Sequence, residues 1–196
     1  MKTNGISYRT FIFRKLHSFT GLLPAGIFLF FHFTEIGFNI FKASPGTVLL
    51  IFWIPFLYHI LYGLRIIAHG RIGEKETYYR LSLAYLFRID GQYRYYRNYL
   101  YLFQRVSAYL ILTFIILHIL SLQRYPHWLS TRWYQVLFLA GIVSASFHLS
   151  NGLFGFLSNW GIITGEKAHK RVLGMTCGLF IGLCILGIYH FSLLYP

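Results

Sequence analysis

The chain has 196 residues, of which 56% are hydrophobic, 20% aromatic and only 12% charged, and its formal net charge is +13. A soluble domain carries about twice that charged fraction, so the composition excludes an ordinary water-soluble globule and points to a lipid bilayer. The basic excess needs no nucleic acid, because cationic loops are drawn to anionic lipid headgroups.

A helical span needs roughly 20 mostly apolar residues. Five segments qualify: 16–41, 47–68, 99–122, 133–157 and 172–195. They are too long and too uniformly apolar for the strands of a membrane barrel. The predicted fold is therefore all-α, a single membrane domain of five transmembrane helices. The first apolar run is too long for a cleaved signal peptide and no small-residue cleavage site follows it, so it is expected to persist as a helix. Ala43-Ser44-Pro45-Gly46 makes an outer turn, and Gln123 to Arg132 forms the second outer connection, broken by Pro126. The inner loop 71–98 is basic and rich in tyrosine, a side chain that settles among headgroups. Part of it, 77–88, has the makings of a short interfacial helix or of an irregular surface loop. With the N-terminus inside, 15 of the 18 Lys and Arg residues fall on the inner side, which predicts a cytoplasmic N-terminus.

Cys177 and Cys184 are seven residues apart in the last span, about 10 Å along a helix axis, too far to bridge. There is no Cys-x-x-Cys-His, no cysteine set for an iron–sulfur cluster, no Walker loop and no dinucleotide fingerprint. The chemistry has to come from elsewhere.

It is offered by histidine. His32, His59, His118 and His148 lie one apiece in four of the five spans. An ionisable side chain at that depth is costly and usually has a partner or a role. His59 and His148 each lie nine residues from the inner end of their spans, about 14 Å deep. His32 is about 14 Å from its outer end and His118 about 6 Å from its own. The four thus divide into an inner pair, His59 with His148, and an outer pair, His32 with His118. Two imidazoles at one depth on facing helices suit the two axial positions of a haem iron. Two such pairs predict two haems at two depths across the membrane. His17, His69, His127, His169 and His190 lie at helix ends or in loops. Gly63 and Gly152, one turn after His59 and His148, offer faces on which a flat macrocycle would lie, or serve close helix packing.

The order Arg14-Lys15-Leu16-His17-Ser18, Gly21, Pro24, His32, then Tyr58-His59 with Tyr62-Gly63, Tyr96-Arg97-Asn98 with Gln104-Arg105, His118, and Phe147-His148-Leu149-Ser150-Asn151-Gly152 resembles the cytochrome b membrane subunit of succinate:quinone oxidoreductases. The likeness is to the five-helix, di-haem, single-anchor class and covers nearly the whole chain. It implies two haems b held by the same histidine pairs, partner flavoprotein and iron–sulfur subunits on the cytoplasmic face, a location in the cell inner membrane, and a quinone, menaquinone in this class, used near the outer haem. The long inner loop departs from compact relatives.

Donors for the anionic haem propionates are expected among Ser18, His17, Arg14, Arg105 and Asn159 near the inner boundary, Arg105 having the alternative of snorkelling to the headgroups. Glu35 is the one carboxylate inside a span, three residues after His32, and is the candidate for exchanging protons with a quinone. Its alternative is a contact with outer water or Lys42. Competing functions are the fumarate-reducing direction of the same architecture, a di-haem subunit of a hydrogenase or formate dehydrogenase, and a transporter whose histidines relay protons or bind zinc or copper.

Overall fold

The computed structural model describes residues 8–33, 45–69 and 96–194. All regular structure there is helical. The first rod runs Tyr8–Thr20, passes through a π-turn at Gly21–Ala25 and continues as Gly26–Phe33. The second runs Pro45–Val48, a π-turn at Leu49–Trp53, and Ile54–His69. The third is Tyr96–Gln123, the fourth Arg132–Asn159 and the fifth Glu166–Leu194. The proposed interfacial helix at 77–88 and most of the outer turn before Pro45 lie outside the described residues.

Four of these rods hold stretches long and apolar enough to cross a membrane: Leu49–Ile66, Tyr99–Gln123, Arg132–Asn159 and Glu166–Leu193. The first rod, described as far as Phe33, is not among them. Large apolar side chains face outward, among them Leu50, Ile51, Met175 and Ile185. That is the arrangement expected when the surrounding solvent is hydrocarbon.

Both π-turns have a proline as their local cause. Pro24 lies inside the first and Pro55 follows the second by two residues. Proline has no N–H to give the ladder, and its ring crowds the carbonyl one turn back. Widening the helix by one residue relieves that crowding. In the first rod the Thr20 hydroxyl also donates to the carbonyls of Leu16 and His17, at 2.9 and 3.1 Å.

Neighbouring rods run antiparallel. Between the first and second, Tyr58 Oη donates to Phe13 O at 3.0 Å, and further along Phe28 packs on Phe52 at 4.7 Å. Between the third and fourth, Asn151 lies against Leu100 at one end and Tyr134 against His118 at the other. The fourth and fifth meet from Phe154 with His169 to Phe138 with Phe191. Two left-handed glycines, Gly161 at φ 70° and Gly165 at φ 80°, turn the chain between them. The short connection Pro126–Ser130 is a 3-10 helix, with Pro126 at its start where a missing N–H is harmless.

The fourth helix is the centre of the bundle. It touches the first, third and fifth rods and supplies the buried residues Tyr134, Phe138, Gly141, Ile142, Ser144, Ser146, Ser150 and Phe154. Tyr134, Phe138 and Ile142 join Leu183 in the apolar core. Small residues let the third helix approach. A Cβ at Gly141 would fall 2.5 Å from the Phe114 ring. Gly141→Leu should therefore lower stability by roughly 1–3 kcal/mol, the usual cost of overpacking. Thermal unfolding of the detergent-solubilised protein measures it, and an unchanged midpoint would show that the third helix is not held at this distance.

Candidate haem-ligand site

The inner histidines come together. The rings of His59, on the second rod, and His148, on the fourth, are centred 6.1 Å apart with planes at 83°. His17 of the first rod joins them, stacked on His59 at 4.2 Å and 5°. Three rods thus bring one imidazole each to a single level, as helix-depth counting expects for His59 and His148.

The seat of His59 is made by the first rod's π-turn. A Cβ at Gly21 would lie 2.2 to 2.9 Å from three atoms of the His59 ring, so only glycine accommodates the imidazole there. The two glycines expected to face a macrocycle are otherwise engaged. Gly63 faces the His17 ring, 3.1 Å from a built Cβ, and Gly152 faces Gln104 Nε2 at 3.5 Å. The missing side chains admit neighbouring protein groups at those two positions.

Each inner imidazole is held through Nδ1. His59 Nδ1 lies 2.9 Å from the carbonyl of His17. His148 Nδ1 lies 3.1 Å from Ser107 Oγ and 3.2 Å from the carbonyl of Gln104. A carbonyl can only accept, so Nδ1 carries the proton and Nε2 the lone pair. That tautomer is the one a metal-binding imidazole needs when it ligates through Nε2.

A polar lattice between the third and fourth helices supports His148. Ser107 Oγ donates to Gln104 O at 3.0 Å. Gln104 Nε2 donates to His148 O at 3.1 Å, and Asn151 Nδ2 reaches both Leu100 O, 2.9 Å, and Gln104 Oε1, 2.8 Å. Gln104 and Asn151 belong to the motifs read from sequence, but their joint role does not show there. The signal is their spacing: Gln104 and Ser107 share a face of one helix, as do His148 and Asn151 of the next.

Of the propionate candidates, Ser18 and Asn159 stand at one end of the bundle. Ser18 Oγ donates to Lys15 O at 3.0 Å and accepts from Trp160 Nε1 at 3.4 Å. Lys15 Nζ donates to the carbonyl of Asn159 and sits over the Trp160 ring at 4.9 Å. His17 Nδ1 and Ser158 Oγ are buried without a hydrogen-bond partner among the described residues. Arg14 is half-buried one turn before His17 and Ser18. Arg105 is on the third helix, its guanidinium 4.3 Å over the Tyr101 ring one turn back toward the inner end. That is the direction in which a snorkelling side chain reaches.

Toward the other end of the bundle, His118 lies between Phe114, stacked at 5.3 Å, and Phe138, edge-on at 5.6 Å. Its Nδ1 is 2.7 Å from Tyr134 Oη. His32 is in the helix Gly26–Phe33, but its side chain, and the whole of Glu35, lie outside the described residues. No set of three or more His, Cys, Asp or Glu side chains converges as a metal site among the described residues.

The Gln104–Asn151 bond joins two helices inside an apolar medium, so the residues should act as a unit. Gln104→Leu and Asn151→Leu should each cost about 1–3 kcal/mol by stranding the partner. The double variant should cost less than the sum, with a coupling of at least about 0.5 kcal/mol. A double-mutant cycle on thermal or denaturant unfolding reads this, and strict additivity would refute it.

No protein-family model and no solved structure matches the chain. The succinate dehydrogenase cytochrome b558 subunit of Bacillus subtilis (strain 168) is 27% identical over 207 residues, covering 92% of this chain and 95% of that protein. The similarity runs nearly end to end and agrees with the motif order: the chain is similar to the cytochrome b subunit of a succinate dehydrogenase, and its four long apolar helices are compatible with a membrane protein that crosses the bilayer several times.

Proposed function

We propose that this chain is the di-haem anchor of a succinate:quinone oxidoreductase, carrying electrons from an iron–sulfur subunit on the cytoplasmic side to a quinone near the outer side. The observation that carries the reading is the meeting of His59 and His148 from separate rods, each with Nδ1 turned to a main-chain carbonyl. Their 6.1 Å separation suits two imidazoles on one metal ion, about 2 Å of bond on each side plus the two ring radii. A haem b with two imidazole ligands supplies a one-electron carrier without an open coordination position.

On this reading His59 and His148 hold the inner haem, and His32 and His118 the outer one. Buried and without a hydrogen-bond partner among the described residues, His17 Nδ1 and Ser158 Oγ support a polar group entering at the inner end. A propionate held with help from Ser18, Arg14, Asn159 or Arg105 would supply the acceptor that those buried atoms want. Glu35, in the segment just beyond His32, exchanges protons with the quinone, menaquinone by the family resemblance. The flavoprotein and iron–sulfur partners dock on the cytoplasmic face, where the basic inner segments lie when the N-terminus is inside. The relative's name supports the succinate-linked complex over a hydrogenase or formate dehydrogenase partner.

The purified protein should be red, with a b-type reduced-minus-oxidised spectrum and about two haems per chain. A colourless, folded preparation would overturn the haem reading and favour a transporter. His148→Ala should remove one haem and leave the other at least partly bound; loss of only the outer haem would overturn the pairing. Glu35→Gln should keep both haems and reduce quinone-linked turnover by about 10²-fold or more, the scale of a lost general acid–base group. Unchanged turnover would remove Glu35 from the mechanism.

A further inference from the structure

Tyr134 is not one of the histidine motifs, yet it is the most completely buried large side chain described, at 0% exposure. Its ring is locked among Trp133, Phe138 and the core residues Ile142 and Leu183. A buried phenol needs partners for its hydroxyl. Two are present: His118 Nδ1 at 2.7 Å and Ser121 Oγ at 2.9 Å. Ser121 is likewise at 0% exposure, and its Oγ is 2.8 Å from the carbonyl of His118, one turn back.

Each of these hydroxyls has one proton to give, which leaves two self-consistent arrangements for the three bonds. A hydroxyl has one proton, and a neutral imidazole has one N–H. Suppose Ser121 gives its proton to Tyr134. Tyr134 then gives its own to His118 Nδ1, and the imidazole carries its proton on Nε2. That tautomer has no Nε2 lone pair for a metal. In the other arrangement His118 Nδ1–H donates to Tyr134 Oη, Tyr134 O–H donates to Ser121 Oγ, and Ser121 O–H donates to His118 O. Each donor is then used once, and the ring of bonds begins and ends on the same histidine.

We propose that Tyr134, backed by Ser121, is a positioning residue for the outer haem: it fixes the Nε2-ligating tautomer of His118 and lowers the potential of the haem that His118 binds. The inference rests on the ligand role of His118 proposed above. An acceptor on Nδ1–H makes the imidazole a more basic ligand, which favours the ferric state. With the Ser121 proton given to His118 O, Ser121 Oγ accepts a hydrogen bond from the phenol, which makes Tyr134 Oη the better acceptor. The phenol acts through His118 and needs no contact with the haem.

The test is a redox titration of both haems in the full-length protein, within its complex, for the wild type, Tyr134→Phe, Ser121→Ala and His118→Ala. His118→Ala identifies the outer component as the one that disappears. Tyr134→Phe keeps the ring and deletes the acceptor. It should retain two haems and shift the outer equilibrium about tenfold toward the reduced form, the low end for a lost ligand-supporting bond. That is about 59 mV upward for a one-electron couple. Ser121→Ala should shift the same component in the same direction by less. The inner component should not move in either variant.

The two ideas fail separately. If His118→Ala removes no haem, the ligand reading falls. If His118→Ala removes one, but the outer potential is unmoved in Tyr134→Phe or both components move equally, the Tyr134 inference falls alone. Should Tyr134→Phe not accumulate, Ser121→Ala decides by itself: an upward outer shift supports the proposal and an unmoved outer potential overturns it.

Discussion

An imidazole presents two nitrogens, and the environment of one decides what the other can do. Hydrocarbon offers neither donor nor acceptor, so every buried N–H must find its acceptor inside the protein. Among the described residues His59 meets that demand at a carbonyl of the first rod and His148 at a carbonyl and hydroxyl of the third, and in the arrangement proposed above His118 meets it at a phenol of the fourth. In each case the acceptor comes from a neighbouring rod. The helix packing and the tautomer of the histidine are therefore one constraint, and a shift of a single rod would disturb both.

That constraint explains why the irregular parts of the helices lie where they do. A straight first rod would carry a regular ladder through Gly21 and Pro24. The proline forbids it, and the π-turn that results lies against the second and fourth rods. The same turn brings Gly21, with no Cβ, under the ring of His59. The carbonyl of His17, one turn earlier, accepts from His59 Nδ1 and from the Thr20 hydroxyl. A distortion imposed by one residue type is thus used to admit a side chain from another helix, as π-turns at functional positions often are. The second rod has a comparable turn before Pro55, and His59 follows that proline by four residues on the same face.

Much of this was legible in the sequence, for a physical reason. Span length is fixed by bilayer thickness, and a histidine's position within a span converts to depth by a constant rise, which places His59 and His148 at one level before any packing is known. The rest depends on which faces meet. Same-helix spacing puts Gly63 and Gly152 below His59 and His148, but it does not show that their open faces receive His17 and Gln104 from neighbouring helices. Tyr134 follows Arg132 and Trp133 at the start of the fourth span and so looks like an interfacial aromatic. Its distinguishing signal is subtler: with Phe138, Gly141 and Ile142 it forms the i, i+4, i+7, i+8 stripe that faces the core. The early start of the fifth helix, at Glu166, was hidden by polar residues that extend it beyond the apolar run. The side chain of His32, and Glu35 entirely, lie outside the described residues.

The inner and outer histidines differ in the kind of acceptor that holds them. His59 gives Nδ1–H to a main-chain carbonyl, and His148 shares its own between a carbonyl and the Ser107 hydroxyl, so no single side-chain deletion strips either of its acceptor. His118 relies on a phenol, which one substitution removes while leaving the ring and the packing in place. A carbonyl sets ligand basicity once for the fold; a side-chain hydroxyl leaves it adjustable residue by residue. On the proposed function, the inner ligands face a cluster-bearing partner and the outer ones a diffusible quinone. The quinone end is where a change of electron acceptor would demand a change of potential, and it is there that the protein uses the replaceable group.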